Sequence, residues 1–434
     1  MSFVAHGGHG HHHGNSEPAS PRVRRALLIA VAPFLVATIT GLVILWPSSS
    51  TVSLPTSGQQ FERFSATVVE VTTGDCPDLP GQEDFTCSVA EARLEEGPDQ
   101  GETVSLDIAE GPNARHVKEG DPILVGRSEG EDGPSYFFAD FERGSALLLL
   151  AALFAITVVA LSRLSGLAAL GGMVISLALL IRFVLPSILE GNSPVWVALV
   201  GGAAIMFVAL YLAHGFNART TTAMLGTLAS LAITGLLAMI FVEATRFTGF
   251  GSEEAVFLQV SAQQVNLQGL LLGGIIIGTL GVLDDVTVTQ ASSVWELHEA
   301  NPDLGTAGLY RAALRIGRDH IASTVNTLVL AYVGASLPLL LLFTLSNRPL
   351  GDVLTSEVVA EEIVRTLVGS IGLVAAVPIT TALASVVARS DRSPAPPNDG
   401  PVEGPPERDQ KTTDTGGPEE PSFKPPRAER FWRT

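Results

Sequence analysis

The sequence predicts an all-α polytopic membrane protein with about eight transmembrane helices and a small extracellular β domain between the first and second. Three observations carry that class. Hydrophobic residues make up 46% of the 434-residue chain and charged residues only 16%, yet the net charge is −18, so the acids must be segregated from long apolar runs. Eight such runs lie near 26–46, 144–162, 166–186, 194–214, 222–243, 267–286, 321–343 and 366–388. Each approaches the roughly 20 residues needed to cross a hydrocarbon core of about 30 Å, and in lipid only helices or closed barrels satisfy the backbone. The third observation is the block 47–142, whose short β-branched runs alternate with Gly, Asp and Pro turns.

Residues 1–25 form a cytoplasmic tail in which His6, His9, His11, His12 and His13 stand close together. Imidazoles in such a tract could collect Zn, Ni or Cu, or the segment is a plain flexible tail. The first apolar run, 26–46, follows Arg22, Arg24 and Arg25 and lacks a clear small-x-small cleavage site after Trp46. It therefore reads as an uncleaved helix and not as a signal peptide.

Residues 47–142 hold five candidate strands, in FSATVVEVTTG, FTCSVAEARLEEG, GETVSLDIAEG, GDPILVGRSEG and SYFFADFE. Five strands of this length suit a small barrel of the OB type. Cys76 and Cys87 are the chain's two cysteines, and outside the cell they are expected to form a disulfide, with a metal pair or free thiols as alternatives. Twenty acids against five bases in this block disfavour nucleic acid as a partner. The same charge would keep an exposed domain soluble or concentrate cations beside the membrane.

Residues 143–389 form the seven remaining helices, and loop charge orients them. With the N-terminal arginines cytoplasmic, Arg163, Arg219, Arg311, Arg315, Arg318, Arg389 and Arg392 fall on the same side; Glu190, Glu253, Glu254, Asp352, Glu357, Glu361 and Glu362 fall on the other. Arg182, Arg246, Arg348 and Arg365 dissent. The expectation is a multipass membrane protein with both termini cytoplasmic. The tail 390–434 is rich in Pro, Gly and acids and cannot bury enough apolar surface to order itself.

The residues that could carry chemistry cluster in the last three spans. The sixth passes from a Gly-rich apolar run into Asp284, Asp285, Thr287, Thr289 and Gln290. A charge at the centre of a spanning helix costs about 2.5–3.5 kcal/mol on insertion scales, so two adjacent carboxylates mark a wet or protein-lined interior, unless they simply end the helix at the interface. Gly274, Gly278, Gly281, Asp285 and Thr289 share one helical stripe, and Gly269/Gly273 and Gly274/Gly278 are spaced to admit a close neighbour. In the seventh span Asp319, His320, Ser323, Thr324, Asn326 and Thr327 crowd the first three turns. His320 could move protons, bind metal or cap the helix. The eighth carries Pro378 before Thr380 and Thr381, a hinge or a static kink. No internal repeat is convincing by eye.

Enzyme signatures fail. His298-Glu299 lacks a second zinc-ligating His, and there is no GxSxG elbow or phosphate-binding GxxxxGK[ST] loop. The chain is expected not to be an enzyme, and no cofactor is implied.

Four segments, AHGFNARTTTAMLGT around 214–227, GLLLGGIIIGTLGVLDDVTVTQASSVWEL (269–297), GRDHIASTVNTLVLAYVGASLPLLLLF (317–343) and EEIVRTLVGSIGLVAAVPITTALAS (361–385), resemble the YibE/F family of bacterial membrane proteins. The resemblance covers roughly 145–390. It implies a multipass plasma-membrane protein in a family regarded as candidate transporters, and it brings no established functional residues. Two expectations follow. One is a transporter or channel for a small cation, a divalent metal among the candidates, with Asp284, Asp285, Thr289, Gln290, Asp319, His320, Ser323 and Asn326 as its binding candidates. The other is a non-transporting accessory or scaffold that recruits partners through its outer domain and tail. The expected partners are the lipid bilayer, the cation, and a second copy or another protein.

Overall fold

A computed structural model describes residues 20–48, 61–75, 86–110, 115–130, 133–345 and 348–390. The His-rich tail, Cys76 and the segment beyond Ser390 lie outside the described residues. So do the expectations of metal handling, a Cys76–Cys87 disulfide and a disordered tail.

The β domain consists of β1 (Glu62–Asp75), β2 (Thr86–Leu94), β3 (Thr103–Glu110), β4 (Pro122–Gly130) and β5 (Gly133–Phe141). They form an antiparallel sheet in the order β3-β2-β1-β4-β5. The long β1 pairs β4 with its first half and β2 along most of its length, and a bulge between Val68 and Glu70 bends it between them. That bend brings the edges β3 and β5 together, giving a nearly closed, barrel-like sheet. Alternate residues point inward, so Ala66, Val68, Ala90, Ala92, Leu106, Ile123 and Val125 fill its core. Gly126 sits under the ring of its cross-strand partner Phe137, where a side chain would collide. Tyr136 donates its phenol hydrogen to Asp99, and burial together with that carboxylate raises the Tyr136 hydroxyl above its ordinary pKa. Where the sheet hands over to the helices, Asp140 accepts from Arg143 at 2.7 Å and from the Phe141 amide at 2.8 Å. Both bonds hold its carboxyl below the usual range.

The helices are α1 (Pro21–Ile44), α2 (Gly144–Leu179), α3 (Leu185–Leu189), α4 (Pro194–His214), α5 (Ala218–Ala244), α6 (Glu253–Ser261), α7 (Leu267–Ala300), α8 (Thr306–Ala335), α9 (Leu337–Leu345), α10 (Leu350–Leu354) and α11 (Glu357–Ser390). Their starts follow local chemistry. Asn217 accepts from the Thr220 amide at 2.8 Å, Ser252 from Ala255 at 3.2 Å and Asn266 from Gly269 at 2.7 Å, each satisfying an amide that the helix leaves unpaired. Pro21 and Pro194 open α1 and α4, where a missing amide hydrogen does no harm.

Among the described residues, six helices are long and apolar enough to cross a membrane, or seven if α8 and α9 make one span. Two features separate this from the eight apolar runs. The runs 144–162 and 166–186 belong to one helical stretch, Gly144–Leu189, of 46 residues. Unbroken, it would measure about 69 Å, more than twice the hydrocarbon core. It is broken at Arg163, whose φ is 52° and ψ −128°. There the chain turns so sharply that a side chain on Gly166 would come within 2.7 Å of the carbonyl of Val158, eight residues earlier. The run 321–343, expected as one span, bends by 59° between α8 and α9, next to Pro338, which has no amide hydrogen to continue the helix.

The centre of the bundle is α5, α7 and α11, with α4 on one side of α7 and α8 reaching from α7 onto α11. One end is marked by Glu357, whose carboxylate accepts from the Thr248 and Gly249 amides at 2.7 and 2.8 Å. The other is marked by Arg219, 3.8 Å from Glu296 and 3.9 Å from Glu299. Helix α1 is tied in at the Glu357 end, where Ser187 donates to the Leu45 carbonyl at 2.8 Å and Trp46 stacks on Phe183.

Candidate functional site

Helix α7 continues to Ala300 without a break, well past the expected end at residue 286. The two carboxylates therefore lie within the bundle and not at a helix end. Thr287 is hydrogen-bonded to Thr227 at 2.6 Å, and Thr227 stands nine residues into α5, about 13 Å from its start at 1.5 Å per residue. Asp284 lies almost one turn farther in.

The two acids face different ways. Asp285 continues the stripe of Gly274, Gly278 and Gly281, and that stripe is exposed. A side chain at Gly274 or Gly281 would meet nothing within 4 Å; one at Gly278 would meet only the Tyr332 hydroxyl, at 3.6 Å. Expected to pack against a neighbour, Gly274 and Gly278 instead lie exposed along α7 with Gly281, and the three floor an open cleft beside α8. The real seam is Gly269 and Gly273, where α4 approaches so closely that a Cβ on Gly273 would lie 3.1 Å from the Pro194 carbonyl. Asp284 follows Gly273 and Leu280 at i+11 and i+4, on the face that α4 covers. It is partly buried, and its Oδ1 has no hydrogen-bond partner.

His320 of α8 completes the group. Its Nε2 lies 3.9 Å from Asp285 Oδ2, too far for a direct hydrogen bond and close enough for charge to be felt. Buried Nε2 makes no hydrogen bond. The Asp285 side chain is 69% exposed, so the cleft reaches it.

The other candidates divide. Asp319, Ser323 and Asn326 of α8 and Thr289 of α7 are exposed. Gln290 is buried, and its Nε2 donates to the Ala313 carbonyl at 2.9 Å. Its amide pins α7 to α8 instead of facing the cleft. Gly317 makes room for it, since a Cβ there would lie 2.6 Å from Gln290 Oε1. Pro378 sits inside α11, which runs through it as one helix, beside the buried Thr380 and Thr381.

Sequence reasoning missed a second polar group toward the Glu357 end. Arg365 pairs with Glu362 at 2.6 Å, both only partly exposed, while Arg365 Nε and Glu361 Oε1 are buried without partners. Tyr332 stands near Arg365 and Glu362, and its hydroxyl reaches the cleft floor at Gly278. The signal was Arg365 itself, which broke the loop-charge pattern. Between the two groups α5, α7 and α11 bury a ladder of hydroxyls, including Thr227, Ser230, Thr234, Thr279, Thr287 and Thr380. Most bond to the carbonyl one turn back, as Thr234 does to Ser230 at 2.9 Å; Thr380 does not.

The cleft can thus offer carboxylate, imidazole and hydroxyl groups to something small and positive. Among the described residues no three His, Cys, Asp or Glu side chains converge as a metal site. In comparison with known proteins, the YibE/F-like protein family matches residues 150–390, the part that contains every helix of the cleft. No curated protein and no solved structure matches the chain.

Proposed function

The chain belongs to the YibE/F-like family, and we propose that it is a membrane transporter or channel for a small cation. The observation that supports this reading is the Asp285–His320 pair, at 3.9 Å, on the wall of a glycine-floored cleft, beside an Asp284 carboxylate oxygen that has no partner. Acids inside a span are expensive, and such positions usually serve ions or protons. Glu362, Arg365 and Tyr332 stand at the cleft's Glu357 end. A hard divalent ion such as Mg²⁺ or Ca²⁺, stripped of water, wants six or more oxygens, and a zinc site wants about four converging ligands; the one carboxylate and one imidazole that face the cleft suit a proton or a partly hydrated monovalent ion better.

In this reading the break at Arg163 lets Gly144–Leu189 cross twice, and α8 with α9 makes one bent crossing, giving eight in all. The protein sits in a bacterial plasma membrane with both termini cytoplasmic, and the outer domain is an OB-type barrel, for which its strand order is suited.

The test is total cellular ion content, by elemental mass spectrometry with a cytoplasmic pH probe. Cells would lack the protein, express it, or express Asp284→Asn/Asp285→Asn at matched membrane levels. An ion or pH that shifts with the wild type alone is the expected result. Flat profiles in all three would favour the scaffold reading instead.

A further inference from the structure

We propose that α4–α5 and α8–α11 are inverted repeats packed about α7, and that they exchange conformations to open the carboxylates alternately to the two membrane faces. The inference rests on the transport reading above and says how that transport would work.

Three observations coincide. Residues 219–238 of α5 and 365–384 of α11 align without a gap, and eight of the twenty positions are identical: Arg219/Arg365, Thr220/Thr366, Gly226/Gly372, Ala229/Ala375, Ile233/Ile379, Thr234/Thr380, Leu237/Leu383 and Ala238/Ala384. Burial follows the same register. Thr222, Thr234 and Ala238 are buried, as are their counterparts Val368, Thr380 and Ala384. Finally, the aligned residues meet crosswise. A side chain on Gly226 would collide with Thr380, and one on Gly372 with Thr234. Reciprocal contacts between antiparallel, matching helices are what a two-fold axis lying in the membrane plane produces. By eye the repeat is hidden in apolar sequence; the crossed contacts supply its alignment.

The flanking helices obey the same axis. The start of α4 packs on the start of α7, Pro194 against Gly269 and Gly273. The start of α8 packs on the end of α7, Leu309 and Ala313 with Val294 and Trp295. Beyond those anchors the symmetry breaks. Helix α4 stays on α7, with Leu280 under Gly202 and with Met206 and Leu210 in one cluster with Leu283 and Val286. Helix α8 leaves α7 for α11, with Leu328 beside Gly369, and so opens the cleft. Inverted repeats in unequal conformations are how a transporter is open to one side only. Exchanging them closes α8 over Asp285 and moves α4 from α7 onto α5, baring the face of α7 that carries Asp284. Adjacent acids on different faces of one helix then serve opposite sides of the membrane.

The experiment is pulsed electron spin resonance on the full-length protein in lipid nanodiscs, at pH 8 and pH 5, with flux of H⁺, Na⁺, K⁺, Mg²⁺, Mn²⁺ and Zn²⁺ measured on the same variants in sealed vesicles. One spin-label pair, Val333→Cys with Gly274→Cys, spans α8 and α7 across the cleft. The other, Leu212→Cys with Ala300→Cys, spans α4 and α7 at the Arg219 end. All four positions are exposed, and labelled wild type controls for Cys76 and Cys87. The expected result is two distances for each pair, differing by about one helix turn, ~5 Å, with the first pair short whenever the second is long. Flux with α4 fixed, or with both pairs lengthening together, overturns the exchange and leaves transport standing. Reciprocal movement without flux supports the exchange and counts against the transport reading. Two rigid pairs without flux overturn both.

Discussion

Gly369 and Gly281 are both helical glycines of the bundle, yet alanine should act oppositely at the two. A Cβ on Gly369 of α11 would lie 2.7 Å from Thr279 Cγ2 on α7 and 3.8 Å from Leu328 Cδ2 on α8. The first distance is well inside van der Waals contact, and both helices are packed on further sides, so neither can simply retreat. Overpacking of this kind costs about 1–3 kcal/mol. Alanine returns about 0.5–1 kcal/mol of helix preference, so Gly369→Ala should destabilise by up to about 2.5 kcal/mol, with a middle value of about 1.2. At Gly281 a Cβ meets nothing, and Gly281→Ala should stabilise by roughly 0.5–1 kcal/mol for the same reason. Thr279→Ser removes the clashing methyl and keeps the hydroxyl that donates to the Ile275 carbonyl at 3.0 Å. Combined with Gly369→Ala it should recover most of the loss, a coupling of about 1–2 kcal/mol. Reversible unfolding in mixed micelles, run on the four α7–α11 variants, measures the cycle. If Gly369→Ala is as stable as Gly281→Ala, or Thr279→Ser gives no recovery, the helix contacts described here are wrong.

Other predictions concern the cleft and the ends. Gly281→Leu should fill the cleft floor, leaving the protein at least as stable as the wild type and lowering cation flux at least about tenfold; unimpeded flux would place the pathway elsewhere. Gln290→Leu should weaken the α7–α8 pin by about 0.6–1.7 kcal/mol, the range for hydrogen bonds between membrane helices, and should leave a residual flux because Gln290 does not face the cleft. Glu357→Ala removes the acceptor of the Thr248 and Gly249 amides, and hydrogen exchange at those two amides should accelerate selectively. Asp140 has a depressed pKa in the folded protein, so its stabilising contribution is present above the unfolded carboxyl value, near 3.9, and is lost as pH falls through the lower folded value. Arg143→Gln should move the Asp140 titration midpoint upward, read from its carboxyl carbon resonance; an unmoved midpoint would deny that Arg143 is the main cause.

What the sequence revealed follows from which forces are local. Length and hydropathy are local, so the apolar runs and the five strands of the outer block were legible, down to the inward alternation of Ala90, Ala92 and Leu94. Breaks were less so. The turn at Arg163 falls between two of the apolar runs, but Pro338 bends a helix inside a run that hydropathy treats as uniform, and the continuation of α7 through Asp284 to Ala300 depends on neighbours that shelter its polar half. The site was half legible. Two acids and a histidine in apolar surroundings are conspicuous, but nothing in their spacing shows that Asp285 lines a cleft and Gln290 a helix contact, since both follow from where α8 crosses α7. The likeness of α5 and α11 was the hardest to see, because Gly, Ala, Ile and Leu recur in every span and only the crossed Gly226–Thr380 and Gly372–Thr234 contacts single out one register.

The central claim is that a small cation crosses the membrane by way of Asp284 and Asp285. Its most direct test is flux through the purified protein in sealed vesicles, with ion-selective dyes for H⁺, Na⁺, K⁺, Mg²⁺, Mn²⁺ and Zn²⁺ under an imposed gradient. The account predicts that at least one of these ions moves with the wild type and that the flux falls to the empty-vesicle level with Asp284→Asn/Asp285→Asn, a variant whose unfolding midpoint is that of the wild type. Undiminished flux in that well-folded variant, or no flux of any of the six ions with the wild type, would contradict it.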